Sequence, residues 1–204
     1  MANTQGAGYG CRPLTAPGNP PRLLWLRANT AQAIYRGQFV ALNNSGQVQV
    51  IGTAGSLNSC GIAWEFLDTN GAGLPSGMTD LTQGAYLPSS TEALVGFTYD
   101  PNQLYVMEEA TGGTAIVAAS AGLFAGFTYI ATTGNTNTGL ANTIIPNGSV
   151  LGDSTNLLQL IAFQNITNQD GTANGAGASA KWIVRIVRHQ FGPQVLALAP
   201  ATTA

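Results

Sequence analysis

Glycine and proline interrupt this chain too often to leave room for long helices. The sequence has 26 glycines and 10 prolines among its 204 residues. Glycine weakens a helix through its backbone entropy, and proline removes a donor and clashes with the preceding turn. Hydrophobic residues still make up 45% of the chain, which suffices for a core at this length. We therefore predict an all-β fold, an antiparallel sandwich or barrel of about nine short strands.

Apolar runs separated by polar turns place these strands along the chain. The predicted strands are Ile34–Leu42, Gln47–Ile51, Cys60–Phe66, Ala93–Tyr99, Gln103–Glu108, Thr114–Ala118, Phe124–Ala131, Leu157–Phe163 and Lys181–His189. Asn43–Gly46 is typical of a hairpin loop, and Asp100–Gln103 of a type I turn. Leu157–Phe163 is also compatible with a short helix. Alternation in the last strand predicts two different faces. The buried face consists of Trp182, Val184 and Ile186, and the polar face consists of Lys181, Arg185 and His189.

The two ends of the chain have the composition of extensions. Glycines and four prolines in residues 1–22 favour flexible or extended backbone. We place an extended N-terminal arm at residues 1–30, the β-rich body at residues 31–191 and a C-terminal tail at residues 192–204. The apolar run Leu23–Leu26 has two interpretations, an ordinary first strand of the body or an anchor that docks on another subunit.

Charge is scarce and segregated along the sequence. Only 8% of residues are charged, with seven basic residues and a net charge of −2. This leaves little attraction for phosphate backbones, so nucleic-acid binding is not expected. Residues 1–36 carry +4, residues 37–180 carry −9 and residues 181–204 carry +3. The basic ends either pair with acidic strands of their own fold or reach an acidic neighbouring subunit.

Neither a membrane span nor a disulfide is expected. The most apolar stretch, Ala115–Ala131, has 17 residues and no flanking basic residue, whereas a spanning helix needs about 20. Two buried strands explain it better. Residues 1–10 lack the pattern of a secretory leader. We therefore expect Cys11 and Cys60 to be free thiols.

Residues that carry chemistry do not converge in the sequence. A lone histidine and the distant Cys11 and Cys60 do not form a zinc motif. Glu108 and Glu109 are adjacent carboxylates, but neighbours on a strand point to opposite faces. Asp68–Gly71 resembles the start of a calcium loop and lacks the remaining ligands. We expect no enzyme activity, no catalytic residue, no metal and no cofactor.

Several stretches resemble the head decoration, or capsid cement, proteins of tailed bacteriophages. Arg36–Leu42, Gly46–Val50 and Gly61–Ala63 are similar to the opening run of that family, which has a glycine-led strand, a glycine-turned hairpin and a G-I-A step. Asp100–Val106 is similar to its D-P-N-x-hydrophobic run. Leu158–Phe163, an Asn/Gly-rich loop and Lys181–His189 are similar to its closing strands. The resemblance covers roughly residues 34–190, and the N-terminal arm departs from the smaller members.

The resemblance implies a structural virion protein without catalysis. The expected partners are the major capsid protein and further copies of this chain, as a homo-oligomer (dimer or trimer). The expected location is the outer capsid surface, after assembly in the host cytoplasm. The body would sit over a junction of shell subunits while residues 1–30 lie along a neighbour. Expected anchors at the subunit interface are Arg12, Arg22, Leu24, Trp25 and Arg27, because tryptophan and arginine are enriched among interface hot spots. Removing residues 1–30 is expected to weaken assembly and leave the body folded.

Other functions share this composition. A tail- or fibre-associated virion protein would have the same uncharged polar exterior. A carbohydrate-binding β-sandwich could use Trp64, Tyr86 or Trp182 as a stacking platform. A hydrolase on a β scaffold is the least favoured, given one histidine and no convergent carboxylates.

Overall fold

The computed structural model describes residues 10–16, 19–52, 58–71, 86–111, 114–136, 139–147, 150–151, 156–164 and 179–192. Its strands are β1 (Arg12–Pro13), β2 (Leu23–Arg27), β3 (Ile34–Tyr35), β4 (Phe39–Leu42), β5 (Val48–Val50), β6 (Gly61–Leu67), β7 (Tyr86–Leu87), β8 (Leu94–Thr98), β9 (Leu104–Glu108), β10 (Phe124–Ala125), β11 (Thr128–Gly134), β12 (Ala141–Ile144), β13 (Val150–Leu151), β14 (Leu158–Phe163) and β15 (Lys181–Ile186). A 3₁₀ turn spans Ala118–Ser120. Within the described residues, no helix is long and apolar enough to cross a membrane.

Two larger antiparallel sheets form the body. One has the strand order β1-β9-β15-β14-β10-β13, and the other has the order β2-β8-β6-β4-β5. Two short pairs, β11-β12 and β3-β7, complete the described strands. The predicted all-β, antiparallel character is confirmed, in the arrangement of packed sheets rather than a closed barrel.

Two apolar cores lie on opposite faces of the five-stranded sheet. Core 1 joins that sheet to the six-stranded sheet and contains Phe39, Ile62, Tyr105, Met107, Leu158, Leu160, Trp182 and Val184. Core 2 contains Val40, Ala63, Val95 and Phe97 from the sheet with Ile34 and Leu87 from β3 and β7. The alternation of β4 explains this division, since Phe39 and Val40 point to different cores. Both residues are fully buried.

Most predicted strands and turns are present in the structure. Asn43–Gly46 joins β4 to β5, and the Asn43 amide donates to the Gln47 carbonyl at 3.0 Å. The Gln103 amide donates to the Asp100 carbonyl at 3.0 Å, the hydrogen bond often found in a type I turn. The run 158–163 is a strand rather than a helix. Alternation in β15 is as predicted, with Trp182, Val184 and Ile186 buried.

Three strand predictions are corrected. The predicted strand 34–42 is two strands, because Gly37 adopts φ +87° between them and a Cβ there would lie 2.8 Å from the Cys11 carbonyl oxygen. The predicted strand 114–118 is irregular and leads into the 3₁₀ turn. The predicted strand 124–131 is divided between β10 and β11. Strands β7, β12 and β13 lie in segments where sequence periodicity predicted none.

The N-terminal segment is part of the body where the structure describes it. Cys11 is fully buried in core 1, and β1 pairs with β9. Strand β2 pairs along its whole length with β8. This differs from an extended arm over residues 1–30, and it favours the interpretation of 23–26 as an ordinary strand. Removing residues 1–30 would take away two strands and two buried side chains, those of Cys11 and Ala28, so we expect that truncation to unfold the body. Residues 1–9 and the tail from 193 lie outside the described residues.

Candidate interaction surface

Strand β2 is an edge strand with an open side. Its other side is bonded to β8, where the Ala28 amide donates to the Ala93 carbonyl at 2.9 Å. Bonded and non-bonded pairs alternate in an antiparallel ladder. Leu24 and Leu26 therefore bond to β8, while the amides of Leu23, Trp25 and Arg27 point to the open side. Within the described part of the chain, β8 is the only strand paired with β2.

The open side of β2 ends at Ala28. There the Asn29 amide donates to the Val48 carbonyl at 2.7 Å, and Ala28 forms a parallel bridge with Val48 of β5. The two edges of the five-stranded sheet thus meet at one point without forming a closed barrel. Leu23–Arg27 precedes this junction, and among the described residues no strand pairs with the outward amides of Leu23 and Trp25.

Trp25 covers a glycine of the neighbouring strand. It is the register partner of Gly96, and a Cβ at Gly96 would lie 2.8 Å from two carbons of the indole six-membered ring. Only a glycine therefore permits the ring to lie flat on β8, and the ring covers backbone that would otherwise face solvent. Trp25 remains half-buried.

The residues beside Trp25 make this surface apolar with a basic rim. Leu23 shares its face, and both are half-buried. Arg27 lies on the same face and is exposed. Arg22, just before the strand, is also exposed. Leu24 points to the other face and packs against core 2. Of the predicted anchors, Trp25, Arg22 and Arg27 thus present surface at β2, whereas Leu24 supports the chain's own core.

Arg12 lies apart from this surface. It is exposed on β1, an edge of the six-stranded sheet, where its register partner is Val106 of β9. Burial raises the pKa of Glu108, and the positive charges of Lys181 and Arg12 lower it by a smaller amount. The structure therefore does not bring Arg12 together with the β2 anchors.

Glu108 and Glu109 do not converge on one site. Glu109 is fully buried and accepts hydrogen bonds from the Ile116 amide at 2.7 Å and from the Trp182 indole N–H at 3.2 Å. Glu108 is 3% exposed and is the register partner of Lys181. Burial raises the pKa of both carboxyls. Because their partners lie on different faces, they are structural carboxyls rather than an acid–base pair.

His189 is buried, which corrects its predicted place on the polar face. It is 4% exposed and lies in a segment that links the two large sheets: the Ser59 amide donates to the Arg188 carbonyl at 2.8 Å. Its Nδ1 accepts from the Phe191 amide at 3.1 Å, and its Nε2 has no hydrogen-bond partner among the described residues. Burial lowers the pKa of His189 to about 4, against a smaller opposing effect of Asp100.

The aromatic residues considered for carbohydrate stacking are occupied within the fold. Trp182 is fully buried. Trp64 lies 5.5 Å from the Arg36 guanidinium, which also donates to the Trp64 carbonyl at 2.8 Å. Tyr86 stacks on Tyr35, with ring centroids 4.9 Å apart. The three rings do not form a common open platform.

Cavities and metal ligands offer no competing site in the described residues. A pocket of about 40 Å³ lies beside Arg27, Gln47 and Glu92, whereas small-molecule sites have at least about 300 Å³. The described residues contain no group of three or more His, Cys, Asp or Glu side chains placed to hold a metal. Cys11 and Cys60 are both free and buried, as expected.

The sequence pointed to Trp25 as an interface anchor, but sequence reasoning missed Gly96, the glycine that its ring covers. A glycine inside the apolar strand Leu94–Thr98 is a sign of close approach by another group, and that sign was present in the sequence. The buried place of His189 had no comparable sign, since it depends on segments far apart in the chain. No protein-family model, curated protein or solved structure matches the chain.

Proposed function

We propose that this chain is a structural virion protein that binds the outer surface of a phage capsid and stabilises the shell. The observation that carries the proposal is the open edge of β2, an apolar strand with a half-buried tryptophan and two exposed arginines. Such an edge is a template for pairing with another chain. A protein that links neighbours on a shell can use a surface of this kind.

The resemblance to capsid cement proteins supports the proposal through where its motifs lie. Arg36–Leu42, Gly46–Val50 and Gly61–Ala63 contribute the adjacent strands β4, β5 and β6 of one sheet. Asp100–Val106 and Lys181–His189 contribute the adjacent strands β9 and β15 of the other. The similar stretches therefore contribute strands to both large sheets.

The proposed mechanism is mechanical. Each copy binds the shell through its body, and β2 joins it to a neighbouring subunit. The partners are the major capsid protein and other copies of this chain, and the location is the capsid surface. Opening the shell then requires these added interfaces to be broken, which raises the force or temperature needed to release packaged DNA.

The test uses purified full-length protein and heads, stripped of it, from the phage that encodes it. Co-sedimentation measures binding, and a dye that fluoresces on released DNA measures the temperature at which heads open. We expect the protein to sediment with heads and to raise the opening temperature. Failure to bind stripped heads would contradict the proposal. Labelled antibody at the tail instead of the head would favour the tail-associated alternative.

A further inference from the structure

Trp25 is a large aromatic residue that packs against neither of the two cores. It is half-buried, and the side chains in and around core 1 and core 2 do not include it. A Cβ at Gly96 would lie 2.8, 2.8 and 2.9 Å from three consecutive carbons of its six-membered ring. Near-equal distances to three adjacent carbons place Gly96 beneath the face of the indole rather than beside its edge. The sheet therefore covers the inner face of the ring, which leaves the outer face as its exposed part.

Polar groups without partners surround this ring. Trp25, Gly96 and Glu65 form one row across three strands, because Gly96 is the register partner of both of the others. Alternation places this row on the face opposite core 2, where the flanking residues pack. Glu65 is exposed beyond the ring, and the exposed Arg27 lies two residues along β2 on the same face. Among the described residues, the indole N–H, the Glu65 carboxylate and the Arg27 guanidinium have no hydrogen-bond or ion-pair partner.

We propose that the outer face of Trp25 is a stacking platform for a neutral sugar ring, with Glu65 and Arg27 binding its hydroxyl groups. The C–H groups on one side of a pyranose carry partial positive charge, which suits the negative face of an aromatic ring. A carboxylate accepts hydrogen bonds from two neighbouring hydroxyls, and a guanidinium donates to others. A flat surface suffices for this ligand, because the remaining hydroxyls stay in water. This binding activity goes beyond the proposed function and does not rest on it.

The groups around the ring favour a sugar over other flat ligands. An apolar side chain of a protein partner would desolvate the Glu65 carboxylate and the Arg27 guanidinium without giving either a partner. A nucleotide needs cations for its phosphate, and here the one arginine beside the ring is matched by a carboxylate. A sugar offers apolar C–H surface and hydroxyls together. Pairing of β2 with a neighbouring subunit uses main-chain groups at the sheet edge, whereas this platform uses the face of the sheet.

Nuclear magnetic resonance of the full-length protein observes the platform directly, since each of the three tryptophans gives one indole N–H signal. The loss of a signal in Trp25→Tyr identifies that of Trp25. The probes are the methyl glycosides of glucose, galactose, mannose and N-acetylglucosamine. Each is titrated to about 50 mM, because one stacked ring supports a dissociation constant of about 1–10 mM. We expect at least one glycoside to shift the Trp25 signal saturably and to leave that of the fully buried Trp182 unchanged.

Substitutions at the rim distinguish a sugar site from a merely exposed ring. Glu65→Gln should weaken binding at least about 5-fold and Arg27→Ala at least about 3-fold, because each removes a charged hydrogen-bond partner. The matched control is Arg22→Ala, at an exposed arginine three residues from Trp25 that alternation places toward the other face. This control should change the dissociation constant by less than about 2-fold.

Two substitutions of the ring itself give a second measurement, saturation transfer from the protein to the bound glycoside. Trp25→Tyr keeps an aromatic face and should retain part of the transfer. Trp25→Leu removes that face and should abolish the transfer. Circular dichroism checks that both variants are folded. If Trp25→Leu does not fold, the exposed positions Glu65 and Arg27 still decide the question.

The outcomes separate this inference from the proposed function. A Trp25 signal that none of the four glycosides shifts saturably would overturn the sugar platform, as would binding that Glu65→Gln and Arg27→Ala both leave unchanged. A shift with adenosine monophosphate and with no glycoside would also overturn it, in favour of a nucleotide. A protein that binds stripped heads and no glycoside retains the proposed function without the inference. A protein that binds a glycoside and not heads retains the inference alone.

Discussion

Protonation of His189 should destabilise the protein as the pH falls. Its Nδ1 accepts the Phe191 amide, so the neutral ring carries its hydrogen on Nε2, which is buried without a partner among the described residues. Protonation at Nδ1 removes that acceptor and places a charge in a site that is 4% exposed. The described charged group that opposes the effect is Asp100. The substitution His189→Asn keeps an acceptor for the amide two residues on and removes the titration.

The size of the effect follows from the two pKa values of His189. The folded pKa is about 4, against an ordinary value of 6.5. A base with a lowered folded pKa contributes its full stability above the unfolded pKa and loses it as the pH falls through the folded value. The bare shift corresponds to a loss of about 2 kcal/mol by pH 5 and about 3 kcal/mol by pH 4. Allowing for screening by nearby solvent, we expect about 1–2 kcal/mol by pH 5.

Urea unfolding at several pH values between 7.5 and about 4.5, followed by circular dichroism, measures this loss. Burial raises the pKa of Glu108 and Glu109, so these groups change the stability in the opposite direction. They are present in both proteins, and the difference between wild type and His189→Asn isolates the histidine. The wild type should lose stability relative to the variant as the pH falls from 6.5 toward 4. Parallel pH profiles for the two proteins would refute the reasoning.

Three further predictions concern packing, buried hydrogen bonds and thiol reactivity. Gly96→Ala should lower the free energy of unfolding, measured in urea, by about 1–3 kcal/mol, because its methyl group displaces the Trp25 ring. The control is Gly126→Ala, where a Cβ meets nothing nearer than 3.7 Å. It should change the free energy of unfolding by less than about 0.5 kcal/mol. Glu109→Ala should lower the free energy of unfolding by about 2–5 kcal/mol in the same assay, since it leaves the Trp182 indole N–H and the Ile116 amide buried without an acceptor. An unchanged midpoint of the urea transition would contradict this role of Glu109. Burial raises the pKa of the Cys60 thiol to about 12. At pH 8 this thiol should therefore react with a disulfide reagent at least about 100-fold more slowly in the native protein than in urea. Equal reaction rates would show that the thiol is accessible in the native protein.

Local patterns in the sequence were sufficient where the decisive interactions are between near neighbours. The loop at 43–46 forms because Asn43 bonds to residues two to four positions away, so its residues alone predict it. Alternation in β15 predicted which side chains are buried for the same reason. The edge strand β2 was visible as an apolar run. Whether that run was an arm or a strand depended on β8, which lies about seventy residues further along the chain.

His189 shows why other features could not be predicted from the sequence. Its last-strand position and polar character favoured exposure. Its burial results from packing beside Ser59 and Phe191 and from the bond between the Phe191 amide and its ring. The paired carboxyls are a similar case, because their separation into different environments depends on Trp182 and Lys181, which come from a distant strand.

The sequence by itself determined that this chain is all-β, since its glycines and prolines exclude long helices and its short apolar runs suit strands. It also determined that Trp25 stands in an apolar run with Arg22 before it and Arg27 after it. Only the tertiary structure decided that this run is an edge strand and that its indole covers Gly96. The physical reason is that strand pairing and burial are long-range: a residue's partner across a sheet is set by register and packing, which local periodicity does not specify.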